Sequence, residues 1–325
     1  MIHSIYYHGD ETPALDLKPA QLRAALQDPA GVLWVDADVP TADETQRILV
    51  DLFHFHPLTI EDCTGDPQRP KIEDFGTYMF LVTHAPVGQM SDRKVETTEF
   101  DVYMGTNYVV TYHQMPVQAL EEHRTAVLRD VRLLARGADR LAADILEHVA
   151  GDYLTVLDDV DTELDALEDL IFGRPDDDTV NRLFQVRRQL SGLRRLVAPQ
   201  REVLNRLAWD SFQPIRAENR IYFREAYDRL VRVTDLIENL RDLASGGLET
   251  YLSVTSNRLN LTMRWMAAVN TVLLPLTLIA SFYGMNFTEL PPFGHVPVSG
   301  AWIVLIGMVV IAGIMAAIFR KREWF

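Results

Sequence analysis

A regular row of polar, small and flexible residues runs along one apolar segment near the C-terminal end of the chain. Its members, separated by alternating steps of three and four, are Asn260, Met263, Ala267, Asn270, Leu274, Thr277 and Ser281. This spacing predicts that all seven share one face of a helix in a left-handed bundle. None of them is ionisable, and their neutral oxygens can either line water or hydrogen-bond a neighbouring helix. We call this row the polar stripe, and both interpretations stay open from the sequence.

Two runs of 18 residues without a charged side chain, residues 265–282 and 302–319, lie in the same region. At about 1.5 Å per residue, each run would form a helix roughly 27 Å long, enough to cross the hydrocarbon core of a membrane. We therefore predict two transmembrane helices, and the first carries most of the polar stripe. The alternative is a buried helical hairpin of a soluble protein. The second run has no polar side chain, which is typical of a helix that faces lipid.

Basic residues flank the two predicted spans on one side only. Arg264 precedes the first span, Arg-Lys-Arg at residues 320–322 follows the second, and the loop at residues 284–300 has no Lys or Arg. The positive-inside rule then places both chain ends in the cytoplasm and the loop outside. The first residues have no basic flank before an apolar run, so we expect no signal peptide and a multi-pass protein of the cell (inner) membrane. Because two spans cannot enclose a water-filled path, a pore requires several copies of the chain.

The residues before the spans begin with a β-rich part. Four short runs rich in aromatic and β-branched residues predict strands: residues 31–35, 78–82, 100–104 and 108–112. Residues 18–27 and 42–53 are predicted helices, which gives an α/β domain over residues 1–125. The predicted fold class is therefore an α+β membrane protein, with an N-terminal α/β cytoplasmic domain, a long helical stalk and two C-terminal transmembrane helices.

From residue 126 onward the pattern is helical and highly charged. No Lys or Arg occurs between Arg140 and Arg174, whereas the following segment is rich in Arg. This pattern predicts an acidic and a basic helix paired as an antiparallel hairpin, with a surface that gathers divalent cations as the alternative use of the acids. A third helix is predicted from residue 215 to residue 281. The predicted division is a hairpin at residues 126–212, a stalk at 213–262, spans at 263–283 and 301–319, the loop at 284–300 and a basic tail at 320–325.

The composition excludes several classes of function. The chain of 325 residues has 31 Lys and Arg against 46 Asp and Glu, a formal net charge of −15 that argues against a nucleic-acid partner. No Gly-rich phosphate-binding motif and no HExxH zinc motif occurs, so we expect neither a nucleotide ligand nor an enzymatic activity. Cys63 is the single cysteine, which rules out an intramolecular disulfide.

The residues at the outer end of the polar stripe are Tyr283-Gly284-Met285-Asn286-Phe287. Here the chain resembles the CorA family of divalent-cation channels, in which a Gly-Met-Asn triplet closes the first of two C-terminal spans. Four further segments resemble that family: residues 68–73 (Gln-Arg-Pro-Lys-Ile-Glu), 222–228, 251–253 and 274–277 (Leu-Pro-Leu-Thr). The resemblance covers essentially the whole chain.

The resemblance implies a funnel-shaped homopentamer in the membrane lipid. The first span of each copy would line the pore, and Gly284, Met285 and Asn286 would form the outer selectivity filter. The family carries Mg²⁺, often also Co²⁺ or Ni²⁺, and closes when Mg²⁺ binds between its cytoplasmic domains. Glu225 matches a stalk carboxylate of that regulatory site, and Asp92 and Glu99 are candidate partners for it.

Two alternative functions remain at the level of the sequence. One is a zinc or proton-coupled divalent-cation transporter of the same superfamily, such as the ZntB branch, which departs from the Gly-Met-Asn triplet. The other is a membrane-tethered structural or sensing protein, in which the polar stripe only holds helices together.

Overall fold

The most β-rich runs of the sequence form the centre of a seven-stranded sheet. The computed structural model describes residues 1–9, 12–87, 95–173, 177–284 and 298–321. The strands are β1 (Ile2–Tyr7), β2 (Ala14–Leu15), β3 (Val32–Asp38), β4 (Lys71–Asp74), β5 (Met79–Pro86), β6 (Thr97–Met104) and β7 (Tyr108–His113). They follow the order β2-β1-β3-β7-β6-β5-β4, in which β3 and β7 pair in parallel and the other neighbours are antiparallel.

The sequence predicted four adjacent strands of the sheet and missed the other three. Four predicted strands are confirmed as β3, β5, β6 and β7. Every residue of β5 is buried and its first four residues are all apolar, so this strand is easily recognised. Strands β1, β2 and β4 were not predicted, and β2 and β4 are the two edge strands, with only two and four residues.

Short helices cover one face of the sheet. They are α1 (Pro19–Gln27), α2 (Ala42–Thr45) and α3 (Pro57–Thr64). Aromatic rings fill the space beneath, and the rings of Phe55 and Tyr103 stack with centroids 3.9 Å apart. The helix predicted at residues 42–53 is present, but its second part, Gln46–Leu52, is a π-helix. At its end the N–H of Phe53 donates to the carbonyl of Ile48, five residues back, at 3.1 Å.

The other helices of this part are long. They are α4 (Gln118–Arg129), α5 (Ala138–Phe172) and α6 (Asp177–Trp209). Glu163 near the end of α5 accepts a hydrogen bond from Arg182 Nε near the start of α6 at 3.0 Å, so the two helices are antiparallel as predicted. Arg194 of α6 forms an ion pair with Glu238 at 3.0 Å. Charge pairing therefore accounts for part of the acidic and basic pattern, and cation gathering stays a prediction.

The third predicted helix is confirmed, with slightly different ends. A short 3-10 turn at Ala217–Asn219 precedes α7 (Arg220–Tyr283), which contains 64 residues and about 96 Å of helix. Gly246, Gly247 and Pro275 all lie inside it. The last helix is α8 (Val298–Lys321). The chain divides into two units, Met1–Leu248 and Glu249–Phe325, and the finer division proposed from the sequence stays a prediction.

One buried acid links the start of α5 to the segment just before α7. The side chain of Asp139 is 3% exposed, and its carboxylate accepts hydrogen bonds from the backbone N–H of Arg216 at 3.0 Å and from the Arg216 guanidinium at 2.7 Å. Burial alone would raise the pKa of Asp139, but the bonds from Arg216 outweigh it and lower the pKa below its ordinary value. A carboxyl with a lowered pKa stabilises the fold above its unfolded pKa, and this contribution is lost as the pH falls through the folded pKa.

We predict that Asp139→Ala destabilises the protein by about 2 kcal/mol, because it removes charge-assisted hydrogen bonds from a buried position. The midpoint of thermal unfolding of the full-length protein in detergent, followed by tryptophan fluorescence, should fall by roughly 4–8 °C at neutral pH. The control is Glu218→Ala, since Glu218 also contacts Arg216, at 3.6 Å, but its side chain is 75% exposed. Equal midpoints for the two variants would contradict a structural role for the Asp139 pair.

Candidate functional site

Both predicted spans appear as long apolar helices with little buried surface. Two described helices contain an 18-residue window that is apolar enough to cross a membrane, with mean hydropathy of 1.7 in the segment Ala217–Phe282 and 2.7 in Trp302–Lys321. Only 6% of the first window and none of the second is buried inside the chain. The core hairpin of a soluble protein would bury most of such windows, so that alternative is wrong. The two helices fit a membrane protein, whose apolar surface is covered by lipid or by further copies.

Each apolar helix has one face with reduced exposure. On α7 this covered face is Ala268, Val272, Pro275, Leu276 and Ile279, and Ala268 is completely buried. On α8 it is Val304, Met308, Ile311, Ala312, Met315 and Phe319. Both sets repeat at steps of three and four, the spacing expected of two helices that pack along one seam. Residues away from the seam, such as Ile303 and Val309, are more than 60% exposed, as predicted for a helix that faces lipid.

The polar stripe lies on the opposite side of α7 from the covered face. At 100° per residue, the centres of the two faces are about 155° apart around the helix. All seven stripe residues are exposed in the single chain, including Leu274 at 70%. The stripe therefore does not hold α7 to α8, so its polar groups must meet water or another copy of the chain. Its use as a pore lining stays a prediction.

The threonines of this region use their hydroxyl hydrogens inside the helix. Thr277 Oγ1 donates to the carbonyl of Leu273, one turn earlier, and Thr271 donates to the carbonyl of Ala267 at 2.7 Å. Such a bond satisfies the donor of a hydroxyl in an apolar setting, and leaves its oxygen as an acceptor. Thr277 can therefore accept hydrogen bonds on the open face of α7 without leaving a donor unpaired.

The Gly-Met-Asn triplet begins where α7 ends. Gly284 follows the last helical residue, Tyr283, and its N–H donates to the carbonyl of Ala280 at 2.9 Å. A Cβ at this position would lie 3.1 Å from the same carbonyl oxygen, so a larger residue would require the helix end to shift. Met285 and Asn286 lie outside the described residues. Their predicted role in a selectivity filter therefore rests on the sequence.

The structure describes two of the three predicted regulatory carboxylates, Glu225 and Glu99. Glu225 is exposed on α7, Asp92 lies outside the described residues, and Glu99 on β6 accepts a hydrogen bond from the N–H of Gln68. Burial raises the pKa of Glu99. In the described ranges, no group of three His, Cys, Asp or Glu side chains stands ready to hold a metal ion. A regulatory ion at these residues would thus need a second copy, and this set stays a prediction.

The segment at residues 68–73 contributes an ion-pair cluster that the sequence analysis did not identify. Lys71 Nζ lies 2.7 Å from Asp62 Oδ2 and 2.8 Å from Glu73 Oε1. Partial burial lowers the pKa of Lys71, but the hydrogen bonds to the two acids outweigh this and raise it. The cluster ties α3 to the edge strand β4. The spacing of nine residues between Asp62 and Lys71 gives no periodic signal that could have revealed the contact.

Comparison with known proteins identifies close similarity over nearly the whole chain. The family model described as CorA-like Mg²⁺ transporter protein matches residues 29–321. A protein of Thermotoga maritima named cobalt/magnesium transport protein CorA is 33% identical over 298 residues, which cover 90% of this chain and 83% of that protein. A protein of Methanocaldococcus jannaschii with the same name is 24% identical over 90% of this chain and 91% of its own length.

A solved structure shares the fold. The complete structure of the CorA magnesium transporter from Methanocaldococcus jannaschii superposes with a TM-score of 0.83, over 99% of this chain and 98% of that one, at 20% identity. The predicted fold class is confirmed, with its N-terminal α/β domain, long helix and two apolar C-terminal helices.

We predict that cysteines placed on the polar stripe are accessible to water, whereas cysteines beside it are not. In a Cys63→Ser background, Asn270→Cys and Thr277→Cys should react with a small hydrophilic thiol reagent at least about tenfold faster than Val269→Cys and Leu276→Cys. The reason is that residues 269 and 276 are rotated about 100° away from the stripe, toward lipid or the packed seam. Reaction rates in the open state can be followed by mass spectrometry. Equal rates at all four positions would contradict a water-lined stripe.

Proposed function

The chain belongs to the family of CorA-like Mg²⁺ transporter proteins, and from this membership we propose that it is a channel for divalent cations. Its main cargo is Mg²⁺, with Co²⁺ and Ni²⁺ as further ions, and it works in the cell (inner) membrane with both chain ends in the cytoplasm. The observation that carries the proposal is the exposed polar stripe on the face of α7 opposite its covered face. A helix that spans lipid keeps such a face only where it meets water or a partner.

Several copies of the chain are needed to use this face. If each copy contributes one α7, with its seam and α8 outward, the stripes converge on a central path. We propose a homopentamer, the assembly that the resemblance to the family implies. Asn260, Asn270, Thr277 and Ser281 then place neutral oxygens at successive levels of the path, about 15, 10 and 6 Å apart.

Neutral oxygens suit the chemistry of Mg²⁺. This ion dehydrates reluctantly and usually keeps several waters, so it is bound most readily through them. Rings of amide and hydroxyl oxygens accept hydrogen bonds from those waters, yet hold the ion weakly enough for it to leave. We propose that Gly284, Met285 and Asn286 form the outer filter, where each copy supplies the amide oxygen of Asn286. Without a nucleotide motif, the driving force is the membrane potential, worth about 4.6 kcal/mol for a divalent ion at 100 mV.

Control of the channel would use the unit Met1–Leu248, which we call the soluble part. Carboxylates such as Glu225, Asp92 and Glu99 repel one another when copies approach, and a divalent cation bound between copies would neutralise them. Exposure of Glu225 supports this role, because an exposed acid on α7 is available to a neighbouring copy. Plentiful Mg²⁺ would in this way hold the copies together and close the path.

We predict that Asn286→Ala lowers Mg²⁺ influx to below about one tenth of the unmodified rate, because it removes the amide ring at the entrance. The rate can be measured with a Mg²⁺-sensitive dye in liposomes that contain purified protein and carry an inside-negative potential. The control is Asn257→Ala, which removes an amide from α7 off the polar stripe and should leave influx unchanged. Unaltered influx in a correctly assembled Asn286→Ala protein would refute the filter. Zn²⁺ influx that follows a pH gradient instead of the potential would favour the coupled transporter.

We also predict that Glu225→Gln weakens the response of the soluble part to Mg²⁺. In the unmodified protein, millimolar Mg²⁺ should slow proteolysis of the soluble part several-fold, because bound ions link neighbouring copies. The Glu225→Gln variant should need more Mg²⁺ for the same protection, whereas Glu218→Gln, an exposed acid just before α7, should not. Protection that is the same with and without Mg²⁺ in the unmodified protein would argue against a regulatory site.

A further inference from the structure

A cavity of about 430 Å³ lies in the soluble part, at the ends of β5, β6 and β7. Its walls come from α3 and the turn after it, from the sheet and from α6. The residues that line it include Cys63, His84, Glu99, Asp101, His113 and Leu196. All of them are far in sequence from the polar stripe, and only Glu99 is shared with the proposed regulatory site. A cavity of this volume is in the range that holds a small molecule.

Two deeply buried side chains that line this cavity have polar atoms without a partner. Asp101 is 1% exposed and hydrogen-bonds the Cys63 thiol, but its Oδ1 has no partner among the residues that the structure describes. His84 is 5% exposed, and its Nδ1 has no partner among the same residues. A buried polar atom without a partner is costly, and such atoms are few in folded proteins. The pair therefore indicates that something outside the chain completes these hydrogen bonds.

The sheet register brings two acids and this histidine together. His84 of β5 and Glu99 of β6 are directly opposite each other in the antiparallel ladder. Asp101 lies two residues further along β6, so it is on the same face of the sheet as Glu99. Side chains in these relations are about 5–8 Å apart at Cβ. Glu99, Asp101 and His84 therefore share one wall of the cavity.

The positive groups nearby are already used. Lys71, on the same sheet face opposite Val82, is bound by Asp62 and Glu73. His113 also lines the cavity, but its Nε2 lies 3.2 Å from Asp36 Oδ1 and its Nδ1 lies 2.7 Å from the carbonyl of Met115. Burial raises the pKa of both Glu99 and Asp101, and the nearby charge of Glu99 raises that of Asp101 further. The charge of Lys71 lowers the pKa of both acids, but burial outweighs it, so Lys71 compensates the two acids only in part.

The remaining walls decide which cation fits. No three His, Cys, Asp or Glu side chains in the described ranges stand together as a metal site, which disfavours a bare metal ion. Leu196, Met115 and Pro67 add apolar surface beside the acids. A ligand that matches both the acids and the apolar surface must donate hydrogen bonds at one end and be apolar along its stem. An alkylammonium ion has these properties, since its charged end donates up to three hydrogen bonds.

We propose that this cavity binds a small organic cation, a primary alkylamine or diamine, whose ammonium group donates to Asp101 and Glu99 while its stem packs on Leu196. The ligand supplies positive charge that Lys71 provides only in part, and it gives Asp101 a further hydrogen-bond donor. Such binding stabilises the soluble part, and above the dissociation constant the gain rises with the logarithm of ligand concentration.

The test is calorimetric titration of the purified full-length protein in detergent with 1,4-diaminobutane, and sodium chloride at equal ionic strength as the blank. We expect saturable binding of one diamine per chain. Asp101→Asn should weaken it at least tenfold, because it removes the charge and keeps the shape. Glu99→Gln, at a half-buried position that tolerates change more easily, should also weaken it at least tenfold. The matched control is Glu96→Gln, an exposed acid three residues earlier, which should bind like the unmodified protein.

Three outcomes would overturn the proposal. The first is no saturable heat with the unmodified protein. The second is equal binding by all variants, which would place the diamine on the general acidic surface. The third is binding of Co²⁺ that depends on Asp101 while the diamine does not bind, which would make the cavity a metal site. Thermal unfolding midpoints of the variants, measured without ligand, separate lost binding from lost folding.

Discussion

The cost of placing a polar side chain in hydrocarbon is the constraint on which the rest of this structure depends. The amide of Asn270 lies on an apolar helix that its own chain covers only on the other side. An amide in that position needs water or a partner, and a single copy provides neither. A two-helix membrane unit with such a face is therefore incomplete alone. Its association with further copies follows from the same rule that makes spanning helices satisfy their backbone internally.

The soluble part is stabilised in a different way, because its core excludes water and specific contacts hold its long helices in position. Stacked rings such as Phe55 and Tyr103 fill one side of the sheet. Charged contacts act at the joints between elements, where Lys71 ties α3 to β4 and Asp139 ties α5 to the segment before α7. Each of these pairs is partly buried, so removal of one partner leaves an uncompensated charge. These ion pairs thus set the positions of α3 against β4 and of α5 against the segment before α7, which non-directional apolar packing alone would not specify.

Sequence reasoning identified the elements whose own residues carry the signal. The spans, the polar stripe and the long helix α7 have periodic or uniform composition, and each is confirmed as a helix at nearly the predicted residues. Edge strands such as β4 are short, and a single strand of four residues shows no periodicity. The sequence predicted a helix at residues 42–53 but not its type, because the i→i+5 hydrogen bonds of the π-helix at Gln46–Leu52 leave no mark on composition.

The candidate sites follow the same division. The face of α7 that carries Asn270 could be predicted, since residues on one helix face recur in one stretch of chain. The wall formed by His84 and Glu99 could not, because the two residues are adjacent only through the register of β5 and β6. Residues of a site between copies are harder still, since no pattern within one chain records a neighbour. For this reason the proposed partners of Glu225 remain predictions.

The hydrogen bond from Thr277 to Leu273 has a consequence for the sign of the charge that this face accepts. With its proton committed to the helix, the hydroxyl shows outward only lone pairs. Waters around a cation turn their hydrogens outward and match such a wall, whereas waters around an anion turn their oxygens outward and do not. A ring of these threonines would therefore distinguish cations from anions by the orientation of the hydration shell, without any charged residue in the wall.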